Sequence, residues 1–317
     1  MGQARGYKGR LVVDFETTYG ANPGVPAAKV LPINSYDVGI DRQMKQAQTL
    51  TGNRNPVQPF AGFTKLEGSA VVPLDLIAFG WWLKGMFGAP TTTGTGPYTH
   101  VFKVGDTQPS LVAEKKYDFM SSQKYVRQNG IKISTLGLKF GGDDELVANL
   151  GIIGATEQAP SGTPYQASPT AVTFNRVSNF EAAITEGGSA IATVTEAEIN
   201  VDFGLDAENF VIGGGGVLGD LPEGIAGVSG SITALFDSDA LLTKALNSTE
   251  SSLAITLTKA THSLKFEVPE LLYSPKSPGI TGPKGVKITL PFQGYYNDAA
   301  GASAFIATLI NAQASYA

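Results

Sequence analysis

Six stretches of this 317-residue chain are rich in β-branched and aromatic residues and are set apart by glycine- and proline-rich turns. They are Leu11–Thr17, Asn129–Phe140, Ser189–Leu205, Ser252–Thr258, Ser263–Tyr273 and Gly285–Phe292. Several alternate polar with apolar, as in Ile131-Lys132-Ile133-Ser134 and Ala254-Ile255-Thr256-Leu257-Thr258. Such alternation buries one face of a strand and leaves the other outside, so the chain is constrained to packed sheets. Glu186-Gly187-Gly188-Ser189 lies between two such runs and predicts a hairpin turn, and Gly141-Gly142-Asp143-Asp144 predicts another. The 38 glycines fit a turn-rich β protein. Charged residues make up only 16% of the chain, so much of the surface is not built to face water.

Helical patterns are few. Pro73–Phe87 carries an apolar set with Asp75 as cap and Gly88-Ala89-Pro90 as stop. Asp237–Leu246, ending at Asn247, predicts a second helix. Asp298–Gln313, with Phe305, Ile306, Leu309 and Ile310 as one stripe, predicts a third.

The proline-rich segment from Ala159 predicts a linker. It divides the chain into domain 1–158, linker 159–171 and domain 172–317, the last closing with the C-terminal helix. The two halves repeat one order of elements: strand, long loop, strand, helix, then three strands. Gly39-Ile40-Asp41 pairs with Gly204-Leu205-Asp206, and Glu67-Gly68-Ser69 with Ser229-Gly230-Ser231. Ser110-Leu111-Val112-Ala113 pairs with Ser252-Leu253-Ala254-Ile255. Asp75 aligns with Asp237. The order predicts a divergent duplication, against chance likeness between β-rich segments.

The inventory excludes most chemistry. There is no cysteine, so disulfides and thiolate metal sites are excluded. His100 and His262 are the only histidines, and no nucleophile elbow lies near either. No cofactor or metal is expected. Gly213–Gly216 lacks the Lys-Ser/Thr of a phosphate loop and reads as a flexible turn. A net charge of −5 argues against a nucleic-acid binder. No secretory leader or membrane span is expected, because only Leu11-Val12-Val13 follows the basic start. Trp81-Trp82 fall on the first helix and fit packing against a sheet or a subunit neighbour.

Asp14-Phe15-Glu16-Thr17-Thr18-Tyr19-Gly20 resembles the opening of tail tube (major tail) proteins of long-tailed, siphovirus-type bacteriophages. Gln108–Lys115, Tyr125–Leu136 and Leu146–Gly154 resemble the mid-chain strands of that family, in order and spacing, over residues 11–158. The second half follows through the repeat.

The resemblance implies a mainly β fold of two tandem tail-tube-type β-sandwich domains, each with a flanking helix. It also implies inner strands that form a ring-wide β-barrel. It implies a non-enzymatic virion tail protein, made in the host cytoplasm, whose rings stack into a tube. Genome DNA and the tape-measure protein pass through its lumen, and tail tip and tail terminator proteins meet its ends. The family's long loop contacts the adjacent ring; by position, Gln43–Gly62 and Ala207–Gly227 correspond. Asn53, Arg54, Phe60 and Phe63 are the ring-stacking candidates, with ordinary surface loop as the other reading. Asp143, Asp144 and Glu145 are candidates for the lumen or the inter-ring face. If each chain carries two tube domains, a homotrimer completes a pseudo-hexameric ring; if only one half enters the barrel, a homohexamer is needed. The competing class is a carbohydrate-binding or adhesin-like β-sandwich.

Overall fold

Alternating burial along the predicted runs turns most of them into strands. The structure is a computed structural model that describes residues 3–118, 122–280, 282–296 and 303–316. From the N-terminus, β1 (Arg10–Phe15), β2 (Lys29–Leu31), β3 (Ser35–Lys45) and β4 (Phe60–Pro73) lead to helix α1 (Phe79–Phe87). Then come β5 (Thr91–Thr93), β6 (Tyr98–Lys103), β7 (Leu111–Asp118), β8 (Gln123–Phe140), β9 (Val147–Gly154) and β10 (Thr156–Glu157). The second half opens with β11 (Thr170–Ala171), β12 (Ala182–Glu186), β13 (Ser189–Ala190), β14 (Val194–Asp202) and β15 (Gly227–Leu235). Helix α2 (Ala240–Leu246), β16 (Ser251–Lys259), β17 (His262–Tyr273), β18 (Lys287–Gly294) and β19 (Ile306–Asn311) complete it.

One antiparallel sheet runs β3-β4-β9-β8-β14-β15-β18-β17. A second order, β13-β12-β16-β17-β19-β6-β5, leaves from the first half of β17. A third, β11-β2-β1-β7-β8-β10, leaves from the first half of β8. Each long strand thus bends from one layer into another. A single apolar cluster joins both halves, with Leu83, Ile133, Phe140, Phe266 and Phe305 among its members. Phe87 of α1 lies 5.3 Å from Phe203 and 5.6 Å from Phe305, centroid to centroid.

The hairpin at Glu186–Ser189 forms as expected, with Gly187 and Gly188 at φ 57° and 78°, the left-handed pair a two-residue turn requires. The first helix is shorter than predicted, because β4 runs on to Pro73. Asp75 caps the turn that follows: its carboxylate accepts the backbone N–H groups of Ile77 (2.7 Å), Ala78 (2.6 Å) and Phe79 (3.0 Å). Desolvation nevertheless pushes its pKa up to about 6. The second helix forms over most of its predicted range.

The predicted C-terminal helix is corrected. Residues 298–302 lie outside the described set, and Ile306–Asn311 is a strand. It lies between β17 and β6, so both of its edges are hydrogen-bonded and apolar residues on both of its faces are covered. A short apolar run carries no periodicity that separates this case from a helix.

The predicted linker is strapped to the first half. Ser161 and Tyr125 exchange backbone hydrogen bonds, and β11 pairs in parallel with β2. Tyr165 donates its hydroxyl to Asp14 at 2.8 Å, and its backbone N–H to Glu114.

Candidate assembly interface

The eight-stranded sheet contains one four-strand order twice. β3-β4-β9-β8 is followed by β14-β15-β18-β17, the same sequence of strand, partner, hairpin arm and long strand. The match extends to single residues. Leu111 pairs with Ile131 and Ala113 with Gln128 across a bulge; 140 residues later Ser251 pairs with Leu271 and Leu253 with Val268 across the same bulge. Ile133 faces Ile152 as Tyr273 faces Phe292.

Gly68 and Gly230 sit where no side chain fits. A Cβ there would lie 1.9 Å from the Asp37 carbonyl oxygen and 2.1 Å from that of Glu198. Register therefore matches Val38 with Ile199 and Gly39 with Asn200. This corrects the sequence pairing of Gly39 with Gly204. The pairing of Leu111 with Leu253 shifts likewise, to Ser251.

The two units join inside the chain. Ala197–Asp202 of β14 pairs with Phe140–Thr135 of β8, so the first strand of one unit adds to the long strand of the other. At the outer ends, β3 pairs only with β4 among the described residues. Ser274 still donates its N–H to the Pro291 carbonyl at 2.8 Å; beyond it the chain leaves β18, and among the described residues Lys287–Leu290 has β15 on one side only.

One face of this sheet is polar and built from small residues. On β14, Glu196, Glu198 and Asp202 are exposed while Ala197, Ile199 and Val201 are buried. Neighbouring rungs carry Gly137, Asn149, Gly151, Ser69, Ser229 and Ser231. The face also holds Asp37, Asp41 and Glu67, against Lys65, Lys139 and Lys287. Six carboxylates against three lysines leave it net negative.

The 203–226 loop meets the arm formed by β3 and β4. Phe63, on the arm formed by β3 and β4, stacks on Phe210 of the 203–226 loop at 4.1 Å. The Thr64 N–H donates to the Gly216 carbonyl at 2.7 Å. Phe60 and Phe63 are 53% and 54% exposed. Asn53 folds back on its own turn, accepting the Asn55 N–H at 2.8 Å, and Arg54 is exposed beside it.

The 203–226 loop is latched to the first unit. Lys132 of β8 donates to Glu223 (2.6 Å) and to the Leu221 carbonyl (2.8 Å), and the Gln108 N–H also donates to Glu223 (2.7 Å). Asp143 and Asp144 are exposed at the tip of the β8–β9 hairpin. Glu145 accepts Asn34 Nδ2 at 2.7 Å and pairs with Arg176 at 2.9 Å, so it ties the hairpin to the start of the second half.

A family model described as phage tail tube protein matches residues 6–294. The chain belongs to the phage tail tube protein family. A comparison with curated proteins finds no match. Membership makes this tail tube protein a structural component of the virion tail.

In this tail tube protein the histidines are built into the fold. His100 is fully buried; its Nε2 donates to the Gln313 carbonyl at 2.8 Å, so its Nδ1 accepts from the Thr92 hydroxyl at 2.9 Å. His262 Nδ1 bonds Asn175 at 3.2 Å. Among the described residues, no group of three or more His, Asp or Glu could hold a metal ion. Nor is any described helix long and apolar enough to cross a membrane.

Sequence reasoning missed the acidic sheet face. The signal was present in Glu196-Ala197-Glu198-Ile199-Asn200-Val201-Asp202, where every second residue is polar and three are acidic. That run predicts the strand, but not what its polar face lies beside.

Proposed function

We propose that this tail tube protein assembles as a homotrimer, each chain supplying two duplicated tube units, into a pseudo-hexameric ring. The rings stack into the tail tube, through which genome DNA and the tape-measure protein pass without specific binding. The repeated four-strand order within one continuous sheet, open at both ends, carries this reading. Joining three such sheets edge to edge gives 24 strands and removes every sheet edge from the barrel. At a spacing of about 4.8 Å and a tilt near 40°, such a barrel measures roughly 48 Å across, backbone to backbone. A homohexamer with one half of each chain outside the barrel would have to part β8 from β14, and their six-residue ladder favours three chains.

The polar face of the sheet is the lumen wall in this reading. Its excess of carboxylates repels phosphate, so DNA slides instead of sticking. Asn53 and Arg54 on the β3–β4 loop and Phe60 at the start of β4 lie at one end of the strands, Asp143 and Asp144 on the hairpin tip lie at the other, and the two sets face the rings on either side. Phe63 braces that arm against Phe210. Tail tip and terminator proteins cap the two ends of the stack. Electron cryo-microscopy of the concentrated protein and of intact tails tests this. Hollow stacked rings with three chains each are expected. A chain that stays monomeric and is absent from tails would overturn it.

A further inference from the structure

We infer that the segment after β17, Ser274–Ile280, takes up the β3 edge of the next copy of the chain, in the register that β8 gives to β14. The inference rests on the ring proposed above and adds which edges meet and at which residues.

The intrachain junction is the template. β8 and β17, with the hairpin arms that follow them, superpose in sequence without a gap: Lys132–Gly154 and Leu272–Gly294 differ by 140 throughout. Thr135–Phe140 is strand because β9 flanks it on one side and β14 on the other. Its counterpart Pro275–Ile280 has neither, is exposed along most of its length, and forms no strand in the single chain. Among the described residues the edge of β18 beside it is vacant from Lys287 to Leu290, the Pro291 carbonyl accepting the Ser274 N–H at 2.8 Å. Ile280 is 88% exposed and Ile40 of β3 is 50% exposed.

Transferring the register places Gly39 opposite Ser277, Tyr36 opposite Ile280 and Val38 opposite Pro278. The last rung is chemically matched. The Asp37 and Glu198 carbonyls point at their inner partners, so those of Val38 and Ile199 point outward to the seam. A leucine at position 138 can donate its N–H to Ile199, whereas Pro278 has none to give. The Val38 carbonyl needs none: it already accepts from Lys115 Nζ at 2.8 Å and Gln128 Nε2 at 2.9 Å. The neighbour's proline thus falls on the rung that this chain satisfies internally.

The cysteine-free chain permits a direct test. Residues directly opposite on antiparallel strands have Cα atoms about 4.5–5.5 Å apart, within disulfide range. Gly39 has open space for a side chain. The double variant Gly39→Cys/Ser277→Cys, oxidised after assembly, is expected to give covalent dimers and trimers on a non-reducing gel, with nothing larger. The control Gly137→Cys/Asn200→Cys, at the intrachain junction, is expected to close within one chain.

A ladder that ends at six would keep the seam and overturn the three-chain ring. Tubes that form but give no crosslink, while the control closes, would overturn the seam and leave the tube intact. A wild-type chain that forms no ring alone and is absent from tails would overturn the reading on which the seam rests.

Discussion

Replacing Glu223 with glutamine removes the charge that holds the 203–226 loop against β8. In the folded chain the Lys132 ammonium is 2.6 Å from Glu223, with side-chain exposures of 8% and 21%. Removing one partner of a fully buried pair costs about 3–5 kcal/mol, because the other charge is left uncompensated. Here water reaches part of Glu223, and Lys132 keeps the Leu221 carbonyl. The expected loss is therefore about 1.5–3 kcal/mol, or roughly 2–5 °C in Tm for a chain of this size.

Burial alone would raise the pKa of Glu223. The hydrogen bonds from Lys132 and from the Gln108 N–H outweigh it, and the carboxyl is held below the ordinary range. A folded pKa below the unfolded one means stability that is full above about pH 4.3 and is lost as the pH falls through the folded value. The gap between wild type and Glu223→Gln, measured by urea unfolding, should be open at pH 7 and close below about pH 4. Hydrogen exchange should quicken in the 203–226 loop before the rest of the chain. Replacing the pair together, as Lys132→Met/Glu223→Leu, should cost less than Glu223→Gln alone. Equal stability of Glu223→Gln and wild type at pH 7, or a gap unchanged down to pH 3, would refute the electrostatic latch.

Asp75→Ala leaves three backbone N–H groups at the start of α1, those of Ile77, Ala78 and Phe79, without their acceptor and should cost about 2–4 kcal/mol by urea unfolding. Burial lifts Asp75 to about 6, above the unfolded value near 3.9, so its contribution should decline as the pH rises through that interval, and Asp75→Asn should abolish that slope. Tyr316 is fully buried, packs on Trp81 and His100, and donates its hydroxyl to the Ile77 carbonyl at 2.6 Å; Tyr316→Ala should cost about 3–5 kcal/mol in the same assay. Burial pushes His100 below 6.5, so its share of stability should be lost as the pH falls from 6.5 through the lower folded value, and its NMR titration midpoint should lie below that of a free imidazole.

Much of the fold was legible because local physics carried it. The Gly187-Gly188 turn needs two left-handed residues and has them, so the hairpin could be read in place. The second helix announced itself by its span and its Asn247 stop. The third predicted helix failed because Ile306–Asn311 is apolar on both faces, and only the presence of β17 and β6 on its flanks made it a strand. Among the assembly candidates, Phe60 and Phe63 are equally exposed, but Phe63 stacks on Phe210 and braces the β3–β4 arm against the 203–226 loop, a distinction that sequence position does not encode.

The sequence by itself determined a mainly β protein with no cysteine, two histidines and a negative balance of charge. Those properties follow from residue type and from a period of two, which each strand carries alone. Tertiary structure decided that β14 closes on β8, that the proline-rich segment after Ala159 straps down on the first half, and that the acidic positions of several strands share one face. Pairing depends on which edges the packed core leaves free, and that is a property of the whole chain.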